Sequence, residues 1–151
     1  MQELLNEFAE TLATGYKQLA RISEAESAVK PAPGKWSPKE IIGHLIDSAS
    51  NNHPRFVRVQ LYDDLDLPGY EQERWVAVQD YQNASWTELL LLWKSLNSHL
   101  LRVIALIPEE KLAKTFRIAG GEPVTLGYWV EDYLRHLQKH QIGRASCRER
   151  V

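Results

Sequence analysis

The chain of 151 residues holds one cysteine, Cys147, near its C-terminal end. A single thiol excludes an intrachain disulfide and a zinc–thiolate cluster. Positive charge is not in excess either: 18 Lys and Arg stand against 20 Asp and Glu, a formal net charge of −2. A protein that neutralises phosphates needs a basic face, so nucleic acid is not an expected partner. There is no N-terminal signal-peptide pattern and no apolar run long enough to span a bilayer. No membrane partner is expected, and the cytoplasm is the default location. Internal repeats and low-complexity segments are missing too.

What is there changes character at the end. Residues 142–151, Ile-Gly-Arg-Ala-Ser-Cys-Arg-Glu-Arg-Val, show no apolar periodicity and crowd Arg144, Arg148 and Arg150 into a short span. The string reads as a one-frame translation of a short-read sequencing adapter. Residues 142–151 are therefore expected to be a non-native tail from shotgun metagenomic DNA, the native C-terminus lying beyond about residue 141 and lost. Without the tail, Lys and Arg fall to 15 and Asp and Glu to 19, a net charge of −4, and no cysteine remains. A cysteine nucleophile is then excluded as well. Residues 1–141 fit one domain with a single core. Five tryptophans point to large side chains wedged between elements or lining a pocket.

Four stretches carry helical periodicity. Leu5, Phe8, Leu12, Tyr16, Leu19 and Ile22 recur at intervals of three and four, the spacing of one helix face. A loop with two prolines and a glycine follows. In Trp-Ser-Pro-Lys-Glu-Ile (36–41), Ser37 reads as N-cap, Pro38 as the first helical residue and Glu40 as the reciprocal partner of a capping box, with Trp36 and Ile41 placed as a hydrophobic staple. Ile41, Leu45, Ala49, Asn52 and Phe56 carry this second helix towards Tyr62, with Pro54 as a candidate kink. A second capping box, Ser85 to Glu88, opens a third helix that runs to Pro108. After the turn at Gly120-Gly121, Thr125 caps a fourth, whose apolar face is Leu126, Val130, Tyr133, Leu134 and Leu137. No convincing alternating strand appears. The pattern predicts an all-α four-helix bundle with a long loop between the second and third helices.

His136 and His140 stack one turn apart on the fourth helix, beside Trp129 and Tyr133. A His-x-x-x-His pair can present both rings to one cation; solvated or singly hydrogen-bonded histidines fit the spacing equally. A third ligand must come from another helix, and His44 is best placed. Ser48, Asn51 and Arg55 follow it along the same line. That line is either a solvated helix face or the polar wall of a cleft with a histidine at its closed end. His53, on roughly the opposite side of the helix, and His99, alone in the third, read as structural or surface residues.

The run Gly-Lys-Trp-Ser-Pro-Lys-Glu-Ile-Ile-Gly-His-Leu (34–45), followed by His136-x-x-x-His140 near the end of four helices, resembles the DinB-like superfamily, which includes YfiT-like metal-dependent hydrolases. The family pattern G-K-W-[ST]-x-x-[EQ]-x-x-x-H-[LIV] stands intact here, and the resemblance covers residues 1–141. It implies a metal held by His44, His136 and His140. Family members include thiol-dependent S-transferases and isomerases, so the resemblance fixes fold and metal site better than substrate.

Three neutral imidazoles and no thiolate leave a divalent cation an open position, and Zn, Ni, Fe or Mn would fit such a set. A water bound there, its pKa lowered towards about 7, would hydrolyse. Alternatively the position would take the thiolate of a low-molecular-weight thiol cosubstrate and present it to a small-molecule electrophile. No clean general base stands out. Asp132 sits one turn before His136 and could orient an imidazole; Asp47 reads more readily as a solvated charge. Arg55 suits a bidentate contact to a carboxylate or to the acid group of a thiol, or a surface salt bridge. Ser48 and Asn51 are candidate polar pocket residues, and Trp129 and Tyr133 either pack against the site or form core. The expected function is a metal-dependent S-transferase or hydrolase. The alternative is a non-catalytic metal- or ligand-binding bundle of a stress response, and a homodimer is left open.

Overall fold

Ser37 starts the longest helix as its sequence predicts. In the computed structural model, which describes residues 1–139, Ser37 Oγ accepts the Glu40 backbone N–H at 3.3 Å and Glu40 Oε1 accepts the Ser37 N–H at 3.1 Å. Pro38 follows at the first helical position, where its missing N–H costs nothing. His140 and residues 142–151, the expected tail, lie outside the described residues.

The bundle consists of α1 (Gln2–Leu19), α3 (Pro38–Leu61), α5 (Trp86–Ala105) and α6 (Leu126–Lys139), with two short helices, α2 (Glu24–Ser27) and α4 (Gln72–Gln79), in the connections. α3 runs through Pro54 without ending. It packs chiefly on α5, and α1 and α6 close the other sides. The expected apolar faces are buried: Leu5, Phe8, Leu12 and Leu19 from α1, and Leu126, Val130, Tyr133, Leu134 and Leu137 from α6. Thr125 caps α6 by accepting the Tyr128 N–H at 3.0 Å, and Ser85 Oγ accepts the Glu88 N–H at 3.3 Å to start α5. Among the described residues no helix is long and apolar enough to cross a membrane.

Both connections read as loops carry more structure than their sequence suggests. α2 opens with its own capping box, Ser23 with Glu26. Its Glu24 carboxylate accepts the Trp86 backbone N–H at 3.1 Å and pairs with Lys39 at 2.8 Å, placing an anion at the start of α5, where the helix dipole favours one. The long connection between α3 and α5 holds β1 (Asp66–Leu67) and α4. β1 pairs in parallel with β2 (Thr115–Ile118), Asp66 opposite Arg117, and β2 pairs antiparallel with β3 (Val124–Thr125), Phe116 opposite Val124. The turn after β2 uses two consecutive positive φ values, Ala119 at 51° and Gly120 at 71°, and Asp66 Oδ1 accepts the Gly120 N–H at 2.9 Å. This small strap therefore ties the α3–α5 connection to the α5–α6 connection.

Candidate functional site

His44 has no exposed surface and His136 only 2 %. Their rings meet between α3 and α6 at a centroid distance of 6.4 Å and an interplanar angle of 76°. The Trp36 ring also packs against His44, its centroid 5.2 Å away. At a metal–nitrogen distance of about 2.0–2.1 Å, two imidazoles aimed at one cation have centroids roughly 5–6 Å apart. The observed pair is slightly wider than that. Borderline nitrogen donors shielded from water suit a divalent transition metal, so two of the three expected ligands fit one. No cluster of three His, Cys, Asp or Glu side chains forms among the described residues, and the third expected ligand, His140, lies outside them.

From His44 a buried polar line follows α3 through Ser48, Asn52 and Arg55, with 0 %, 0 % and 4 % exposure. Steps of four, four and three residues keep all of them on one face, and α6 covers that face. The Trp129 indole N–H donates to Asn52 Oδ1 at 2.6 Å, and the Arg55 guanidinium donates to the same oxygen at 3.3 Å. Asn52 returns its own N–H to the Ser48 carbonyl at 2.9 Å, and the Arg55 guanidinium lies 5.7 Å from the Trp129 ring centre. Periodicity alone put Asn52 among apolar residues, whereas the structure makes it the acceptor that fixes Arg55 and Trp129 together. Asn51, one position earlier, is half-buried and donates to the Asp47 carbonyl of its own helix.

Asp47 is not the solvated charge its sequence suggests. It is 2 % exposed, and Oδ1 accepts the Tyr81 hydroxyl at 2.6 Å and the Gln79 amide at 2.9 Å. Oδ2 has no hydrogen-bond partner among the described residues, and neither has Ser48 Oγ. Burial raises the Asp47 pKa, with the two hydrogen bonds opposing that rise in part. The Tyr81 hydroxyl is pushed up in turn by burial and by its bond to Asp47. The cover comes from α4 and the 3-10 turn at Tyr81–Asn83, and Gly43 makes it possible: a Cβ at this position would overlap the Tyr81 ring.

The remaining candidates separate cleanly. Tyr133 is core: fully buried, it donates to Asn97 Oδ1 at 2.6 Å and meets the Phe56 ring edge-on at 5.7 Å, and burial holds its hydroxyl well above the usual range. Asp132 is half-buried one turn before His136. His53 and His99 face each other at 5.1 Å between α3 and α5. Desolvation, and secondarily the charge of His99, lower the pKa of His53. A cleft of about 1190 Å³ opens where the polar line ends, lined by Arg55, Trp129, Tyr70, Tyr128, Ile118 and Val124 among others. Neither His44 nor His136 lines it.

A family model of the DinB superfamily matches residues 4–142. The chain belongs to the DinB superfamily. Among the relatives of this DinB chain, a Bacillus mycoides protein provisionally named a metal-dependent hydrolase is 22 % identical over 99 % of this chain and 88 % of its own length. A Bacillus cereus protein of the same provisional name is 24 % identical over 78 % of this chain and 68 % of its own. YfiT from Bacillus subtilis, described as a probable metal-dependent hydrolase with an unusual four-helix bundle topology, superposes with a TM-score of 0.80 at 19 % identity, over 92 % of this chain and 80 % of that one. A mycothiol-dependent maleylpyruvate isomerase superposes with a TM-score of 0.71 at 14 % identity; this chain matches 60 % of its length. The chain therefore shares the four-helix bundle fold of YfiT.

Proposed function

We propose that this DinB protein is a metal-dependent enzyme, a hydrolase or a small-molecule thiol S-transferase, with His44, His136 and His140 as the ligands of a divalent Zn, Ni, Fe or Mn ion. The observation that carries the reading is the pair of buried imidazoles meeting at 6.4 Å between α3 and α6. His140 follows His136 by four residues in the sequence. The provisional hydrolase names of its relatives and the thiol dependence of the superposed isomerase support the two reaction classes. A cation bound there would act as a Lewis acid towards a small-molecule substrate or towards a thiol cosubstrate.

The chain's own residues supply the surroundings. Trp36 and the α3–α6 packing keep bulk water from the His44 ring, which strengthens every charge interaction inside. Asp47, gripped through Oδ1 by Tyr81 and Gln79, offers a carboxyl that takes up or gives a proton at Oδ2 closer to neutral pH than an exposed aspartate. Asp132, one turn before His136, would orient the His136 ring. Ser48 adds a hydroxyl on the His44 face.

Near-complete burial of both imidazoles favours a second reading, a bundle that holds metal or a ligand without turnover, since structural sites are closed. Metal content separates these readings. The parent, His44→Ala, His136→Ala and His140→Ala would each be loaded with divalent ions, desalted and assayed by mass spectrometry. One equivalent in the parent and a loss of at least about tenfold in each variant is expected. Unchanged metal in His136→Ala would overturn the ligand set. Metal retention with no thiol transfer or hydrolysis across small electrophiles and amides would favour the non-catalytic bundle.

A further inference from the structure

Arg55 has an unusual position for a permanently charged side chain. It is 4 % exposed, and a guanidinium stays protonated in proteins. Burying such a charge costs several kcal/mol unless it is paired or fully hydrogen-bonded. Its acceptors are both neutral, Asn52 Oδ1 at 3.3 Å and the Pro68 carbonyl at 3.0 Å. These two bonds use two of the five N–H donors of the fork, and no carboxylate pairs with Arg55 among the described residues.

Three independent features make the place where this charge sits a built site. Arg55 forms part of the wall of the cleft of about 1190 Å³, which is ample for a small molecule, since ligand pockets typically run to roughly 300–1,000 Å³. Trp129 lines the same cleft and is itself locked by the Asn52 oxygen that holds Arg55. The fork and the indole are thus fixed relative to one another before anything binds, which spares a ligand the cost of ordering them. Tyr128, Ile118 and Val124 add apolar surface to the wall, beside the polar Gln72 and the charged residues of the rim.

Charge narrows the class further. At the rim, Arg74 is already paired with Glu71 at 2.9 Å, and Glu73 and Glu122 are exposed. One buried positive charge inside an acidic rim suits a monoanion. A phosphate dianion would bring surplus negative charge beside those carboxylates. We propose that the Arg55–Trp129 cleft binds a small monocarboxylate with a flat apolar body, its carboxylate on the Arg55 fork and its body against Trp129. The site goes beyond the metal reading and holds whether or not the histidines take a cation. By the helix rise of about 1.5 Å per residue, Arg55 and His44 are separated by roughly 16 Å along α3.

The test uses the full chain, stripped of metal and dialysed free of chelator, at pH 7. Benzoate, neutral benzamide and inorganic phosphate are titrated while the five tryptophan indole N–H resonances are followed by NMR, with Trp129 assigned from Trp129→Phe. Benzoate should shift the Trp129 resonance saturably at millimolar concentration or below. Benzamide should bind at least about tenfold more weakly, and phosphate should not displace benzoate at equal concentration. Arg55→Lys, which keeps the charge but loses the planar fork, should weaken benzoate about tenfold. Its circular dichroism spectrum reports whether it folds, and the wild-type arms stand without it. Equal binding of benzamide, displacement by phosphate, or an unmoved Trp129 resonance would each overturn the proposal, whatever the metal assay returns.

Discussion

A carboxylate taken out of water holds its proton more tightly, and Asp47 meets that condition beneath Tyr81 and Gln79. Its folded pKa lies above the ordinary value of 3.8 because desolvation outweighs the two hydrogen bonds. The sign of the linkage follows. The protonated form favours the folded state, so the contribution to stability is full below pH 3.8 and is lost as pH rises through the folded pKa. Asp47→Asn keeps an acceptor for Tyr81 but cannot ionise. Its melting temperature relative to the parent should therefore rise from pH 4 to pH 7.5, whatever the offset at the acidic end. A difference that stays flat or falls over that range would mean that Asp47 ionises at no cost in the folded protein.

Single elements show where sequence was legible. The start of α3 was, because Ser37, Pro38 and Glu40 each have one physical reason to stand where they do. Ser37 also donates its hydroxyl to Gln82 Oε1 and is fully buried. Ser37→Ala should thus cost about 2 kcal/mol in urea unfolding, the upper end for a lost N-cap. A loss under about 0.5 kcal/mol would leave the cap without the role given to it. α4 was not legible: it buries only Val76 and has no side-chain N-cap, so neither periodicity nor a start signal marks it. Strands two residues long cannot show alternation. These silent pieces explain the misreading of Asp47, whose cover comes from α4 and the turn after it. They also explain Asn52, whose position on α3 is that of an apolar residue while its partners, Trp129 and Arg55, are set by tertiary packing. The His44–His136 meeting was legible through the family pattern around His44, not through the spacing of histidines alone.

At the scale of the whole molecule, the four long helices form one body and the strap closes one end of it. Arg117 donates its N–H to the Leu65 carbonyl at 2.9 Å and Ala119 donates to the Leu67 carbonyl at 2.8 Å. Next along the chain, the Pro68 carbonyl accepts from Arg55. The two connections therefore hold one another, and neither can lift from the bundle without breaking bonds in the other. Opening is then a single event rather than two. Amide hydrogens of Arg117 and Ala119 should exchange with solvent at a common rate under native conditions, the mark of one cooperative unit. Rates differing by more than about tenfold, after correction for intrinsic chemistry, would show two separate openings. If the rates agree, whatever unlatches this clasp also strips Arg55 of its carbonyl acceptor, so the floor of the cleft and its outer edge breathe together.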